Sequence, residues 1–125
     1  MSGVAAVALG GALGAVARHL MSAAISGVPW VSVGFPWATL AINVAGSFGI
    51  GLAWGSWSHL AWFEEWGRAF LVVGVLGGFT TFSAFSLEGL MLIDSGRWSA
   101  AVVYAIASVT GCLFAAWLGQ RFPGV

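Results

Sequence analysis

The sequence predicts an all-α integral membrane protein: four transmembrane helices, the third of them broken, in one domain over residues 1–125. Three observations carry that expectation. Hydrophobic residues make up 60% of the chain and charged residues only 6%. Soluble domains carry roughly a quarter charged residues, and a soluble fold this apolar could not cover its own surface with polar groups. The apolar residues fall into four stretches, each near the ~20 residues that a helix needs to cross the hydrocarbon of a bilayer. Tryptophans mark the ends of these stretches: Trp37, Trp57, Trp66, Trp98 and Trp117. An amphipathic indole is stable at a membrane–water interface.

The first span covers about residues 3–25, with Arg18 and His19 toward its far end, and Ser26-Gly27-Val28-Pro29 stops it. Met1-Ser2-Gly3 lacks the positive start of a cleavable signal peptide, so this helix is expected to stay in the protein. The second span, about 36–57, opens on Pro36, whose missing N–H is no loss in a first turn. The third, about 66–93, holds Gly77-Gly78 and then Thr80-Thr81 near its middle, a poor helix interior. A break there frees backbone N–H and C=O groups. A membrane tolerates such groups only where protein buries them or they line a cavity, and they often coordinate an ion. The run is glycine-rich but has no Walker lysine. The fourth span covers about 98–120, and the short connections leave no room for a second module.

Charge bounds the partners. Four arginines balance four acids and there is no lysine, so a nucleic acid, which needs a basic face, is not expected as a partner. Arg68 and Arg121 share the side of the N-terminus, while Arg18 and Arg97 fall on the other. That balance gives no positive-inside bias. Either other features orient the chain, or it has dual topology, with copies inserted both ways and paired antiparallel. Small residues four apart recur at Gly10/Gly14, Gly51/Gly55, Gly74/Gly78 and Gly111/Ala115/Gly119, which points to close helix packing within or between subunits. Four helices pack around a filled centre, so a transport role predicts at least a dimer in membrane lipid.

Polar residues inside the spans are the candidate site. Thr39, Asn43 and Ser47 form one stripe on the second helix, and Tyr104, Ser108 and Cys112 form another on the fourth. Such groups serve either as interhelical glue or as a pathway lining. Asn43 is the most informative, because an amide offers both donors and acceptors. Phe82 and Phe85 lie on nearly one face, and the positive edge of a phenyl ring can meet an anion. Ser83 and Ser86 add hydroxyl donors. Glu88, read as lying toward a helix end, is either solvated or part of a vestibule. Arg18 attracts anions to a vestibule or snorkels to the interface. No acid is expected in the membrane core, and no His/Asp/Glu/Cys cluster has ligand spacing, which argues against an enzyme. Donors without buried acids favour an anion over a cation. The lone Cys112 has no intrachain disulfide partner.

Over essentially its whole length the chain resembles the Fluc (CrcB-type) fluoride channels. The resemblance rests on Gly10-Gly11-Ala12-Leu13-Gly14-Ala15-Val16-Ala17-Arg18, on Thr39-Leu40-Ala41-Ile42-Asn43-Val44-Ala45-Gly46-Ser47-Phe48, and on Gly77-Gly78-Phe79-Thr80-Thr81-Phe82-Ser83-Ala84-Phe85-Ser86, in the family's order. It implies an antiparallel, dual-topology homodimer in a prokaryotic plasma or inner membrane, with two fluoride pathways at the interface. It also implies a structural sodium ion (Na+) at the dimer centre, held by the backbone carbonyls of Gly77 and Thr80. The family's ring-edge phenylalanines align with Phe82 and Phe85, its pore asparagine with Asn43, its fourth-helix tyrosine and serine with Tyr104 and Ser108, and its vestibule arginine with Arg18. Ala84 stands where threonine is frequent, and Cys112 where a pore serine or threonine is frequent. A thiol is the weaker donor.

The expected function is passive export of cytoplasmic fluoride, conferring fluoride resistance. The competing four-helix class is a small proton-coupled multidrug exporter, whose coupling needs a carboxylate in the first helix. None occurs from Gly3 to Ala17. A non-transporting scaffold subunit is the third reading.

Overall fold

A computed structural model describes residues 2–29 and 34–122. All its regular structure is helical: α1 (Gly3–Ser26), α2 (Trp37–Trp57), α3, α4 (Phe82–Asp94) and α5 (Trp98–Arg121). Helix α3 is wound as a π-helix over Phe63–Leu76 and continues for one α turn over Gly77–Phe79. At its end the Gly77 N–H reaches back five residues to the Val72 carbonyl, the wider turn of a π-helix. Taking α3 with α4, four helices among the described residues are long and apolar enough to cross a membrane. The protein is therefore a multi-pass membrane protein.

Local chemistry explains the ends. Ser2 caps α1, its hydroxyl accepting from the Ala5 N–H at 3.2 Å. The turn from α4 to α5 closes at Gly96, whose φ of 77° suits a residue without a Cβ. Arg97 at that turn donates through its guanidinium to the Gly34 carbonyl, which ties this corner to the connection before α2. The third span starts at Phe63, earlier than the sequence suggests, because Glu64 and Glu65 lie in its first turn. Acids are stable there beside the free N–H groups of a helix start.

The helices pack as two close pairs, α1 on α3 and α2 on α5, with α4 resting against α5. The spaced glycines make both pairs within the one chain. A Cβ on Gly14 would overlap the Val75 carbonyl oxygen of α3, and one on Gly51 would overlap the Ala116 carbonyl oxygen of α5. Gly10, Gly74 and Gly78 meet backbone across the first contact, and Gly55 and Gly119 across the second. Gly111 differs: a Cβ there would meet only the Val44 side chain, at 3.4 Å. Close backbone approach replaces the hydrophobic drive that helices lack in lipid. Among the described residues the largest fully buried side chains are Tyr104, Phe63 and Ile42.

Candidate functional site

The backbone leaves the helix between α3 and α4. Thr80 (φ −80°, ψ 157°) and Thr81 (φ −152°, ψ 114°) are both extended. Asn43, on the facing side of α2, completes this segment with its amide. Its Nδ2 donates to the Thr81 carbonyl at 3.0 Å, and its Oδ1 accepts from the Thr81 N–H at 2.8 Å. Thr81 then caps α4, its hydroxyl accepting from the Ala84 N–H at 3.2 Å. These bonds have a consequence for two carbonyls. In a continuous helix the Thr81 N–H would serve the Gly77 carbonyl and the Ala84 N–H would serve the Thr80 carbonyl. Both donors are directed elsewhere, so both carbonyls are without their helical partner.

A cavity of about 350 Å³ lies beside this segment, lined by Asn43 and Ser47 of α2, Phe82 and Phe85 of α4, and Ser108 and Cys112 of α5, with Thr80, Thr81, Ile50, Val109 and Leu113 completing it. The Phe82 and Phe85 rings are tilted, their centroids 5.2 Å apart. Phe82 is 76% exposed, so its ring projects from the chain beside the cavity. The Ser108 hydroxyl is buried with no hydrogen-bond partner among the described residues. A buried hydroxyl without a partner is costly unless something binds it. One N–H of the Asn43 amide also remains beyond the one given to Thr81.

A second cavity, about 340 Å³, is lined by Arg18, His19 and Ser22 of α1, Thr39 and Ile42 of α2, and Thr81, Ala84 and Glu88 beyond the break, with Ala15. Glu88 holds it together. Its Oε1 accepts from the Thr39 hydroxyl at 2.7 Å and its Oε2 from the Tyr104 hydroxyl at 2.6 Å. Glu88, toward the C-terminal end of the span Phe63–Asp94, is fixed there by two hydroxyls from neighbouring helices. Arg18 shares this cavity, and its Nε is buried without a partner among the described residues.

The residues singled out from the sequence thus divide. Asn43, Ser47, Phe82, Phe85, Ser108 and Cys112 come together in the first cavity. Thr39, Arg18 and Glu88 line the second. The Tyr104 hydroxyl is committed to Glu88, and Tyr104 and Ser86 line a third, apolar recess against α5, with the Ser86 hydroxyl donating to the Phe82 carbonyl. Ser83 is exposed, its hydroxyl 3.2 Å from that of Thr81. The sequence marks Thr81 as part of the break and His19 as a neighbour of Arg18 but places neither at the site; the structure brings Thr81 to both cavities and His19 and Ser22 to the second. A threonine three residues ahead of Ala84, at the start of an apolar run, is the capping signal that could have drawn attention to Thr81.

Residues 5–120 match the family described as CrcB-like protein, Camphor Resistance (CrcB). The chain belongs to the CrcB-like family. Within it the chain is 47% identical over 116 residues to a protein of Magnetococcus marinus named fluoride-specific ion channel FluC, with 93% of each chain covered. A Thermus thermophilus protein of the same name is 48% identical over 118 residues, covering 94% of this chain and 92% of its own. A third, from Paramagnetospirillum magneticum, is 49% identical over 124 residues, covering 93% and 91%. The CrcB-like match spans all four helices and both cavities.

Proposed function

We propose that this protein is a passive fluoride channel, not an enzyme, and that it lets fluoride leave the cytoplasm of a prokaryotic cell down its electrochemical gradient. The observation that carries the reading is the first cavity. There the unpartnered Ser108 hydroxyl, the remaining Asn43 N–H and the exposed Phe82 ring face one space within a membrane span. Fluoride is small and strongly hydrated, and close donors can replace its water; phenyl edges add positive quadrupole without a competing cation. The relatives named as fluoride-specific channels support the same ion. The membrane potential supplies the drive, since one elementary charge is worth about 2.3 kcal/mol per 100 mV.

The channel unit is an antiparallel, dual-topology homodimer with two pathways. Balanced arginines on the two sides support insertion both ways, and the projecting Phe82 ring supports a second copy closing the cavity. Gly77 and Thr80 fit a structural sodium ion. Their carbonyls lack the N–H four residues on that an α-helix would supply, and hard oxygen ligands are what such a cation takes. The ion, when bound, would supply charge that holds the two broken helices together.

Fluoride release from liposomes holding the purified protein, followed with a fluoride-selective electrode, tests the reading. Release of fluoride with chloride retained is expected; retention of both ions, or loss of both, counts against it. Cysteine crosslinking that captures only parallel partners would overturn the antiparallel pairing.

A further inference from the structure

A polar cavity outside both of these lies at the membrane end where α2 passes into α3. It holds about 200 Å³ and is lined by Trp54, Ser58, Phe63, Glu64 and Arg68. Glu64 and Arg68 are four residues apart on one helix, a spacing that commonly gives an ion pair. Here, among the described residues, no ion pair joins them. The Arg68 guanidinium lies over the Trp54 indole instead, 5.7 Å from its centroid. A cation and an anion therefore line one pocket, each with capacity left for a ligand of opposite charge.

The walls set the depth of this pocket. Phe63 forms a floor with 1% of its surface exposed. Trp54 meets Phe63 edge-on at 6.4 Å, and Trp62 stands perpendicular to Phe63 at 5.7 Å. Trp62 can lie so close to α3 because Gly67 has no side chain; a Cβ there would overlap the indole. Trp57 and Trp66 extend the aromatic band, each in ring contact with Trp62. Such a band belongs at headgroup level.

We propose that this cavity binds the headgroup of a phosphatidylethanolamine lipid, with the phosphate on Arg68 and the primary ammonium on Glu64. The charges of the headgroup complement those of the pocket, and its glycerol end meets the indoles. A choline headgroup lacks N–H donors for Glu64, and Arg68 already occupies the Trp54 face that could otherwise receive its methyl groups. A glycerol headgroup lacks the cation altogether.

Native mass spectrometry of the intact protein tests this, with phosphatidylethanolamine, phosphatidylcholine and phosphatidylglycerol of the same acyl chains supplied in equal amounts. The ethanolamine lipid should be retained over the choline lipid by about tenfold, the scale of one hydrogen bond to a charged group. Glu64→Gln should remove that preference, Arg68→Gln should lower retention of all three lipids, and Arg121→Gln, at the other cation–aromatic contact, should leave the preference intact. Equal retention of the ethanolamine and choline lipids by the unaltered protein would overturn the proposal, and that comparison needs no variant to fold. So would stronger retention of phosphatidylglycerol, which would mark a phosphate site on Arg68 alone. Loss of the preference in Arg121→Gln would also overturn it, because it would reduce the effect to general interfacial chemistry.

Discussion

Replacing Asn43 by alanine should destabilise the protein and slow fluoride release, and the two effects can be separated. The side chain makes two bonds to one residue, at 3.0 and 2.8 Å, and both satisfy the Thr81 backbone where the chain has left the helix. Alanine leaves that N–H and that C=O without partners. Each buried unsatisfied group costs about 1–3 kcal/mol, so the pair costs about 2–6. Both bonds are only part-buried, which places the expectation in the lower half of that range, about 2–4 kcal/mol. That is still more than the ~1 kcal/mol of an average substitution. Asn43→Asp keeps an acceptor for the Thr81 N–H but has no donor for its C=O, and it places a carboxylate at the cavity proposed as the fluoride pathway. It should unfold less readily than Asn43→Ala and yet conduct no better. The assay pairs reversible unfolding in lipid micelles with electrode-measured fluoride release from liposomes. If Asn43→Ala unfolds within about 0.5 kcal/mol of the parent, the ordinary range for a surface change, then the amide does not hold the break.

Other perturbations read different contacts. Gly51→Val drives a side chain into the Ala116 carbonyl and should lower stability by about 1–3 kcal/mol, seen as a lower unfolding midpoint in detergent. Tyr104→Phe removes the 2.6 Å bond to Glu88 and should cost about 1–3 kcal/mol in the same measurement, with Thr39 still bonded to the carboxyl group. Cys112→Ser puts a stronger donor into the first cavity and should raise fluoride release without moving the midpoint.

Much of the architecture is legible in the sequence, because a bilayer leaves little choice. A chain with 60% hydrophobic residues in four long runs has to cross as helices, which satisfy their own backbone groups. Gly14 and Gly51 mark close contacts at recognisable spacing, although spacing alone cannot assign them to contacts within one chain. The start of α3 at Phe63 is harder to read, since Glu64 and Glu65 resemble a loop until they are seen as a first turn. Site residues divide in the same way. Asn43, Ser108 and Cys112 fall on stripes that period 3.6 reveals, and they line one cavity. What Asn43 bonds is invisible from the stripe, because Thr81 lies 38 residues away. Glu88 reads as an end-of-helix acid. Only the fold brings Thr39 and Tyr104, from two other helices, onto its two oxygens.

The most direct measurement is fluoride release from liposomes with no pH gradient, comparing the parent with Phe82→Ile and with Phe82→Ile combined with Ser108→Ala. Rapid release by the parent is expected, with Phe82→Ile slower by about tenfold, a barrier increase of about 1.4 kcal/mol. The combined variant should approach empty vesicles. A parent that releases no fluoride, or a combined variant as fast as the parent, would contradict conduction through the cavity between α2, α4 and α5.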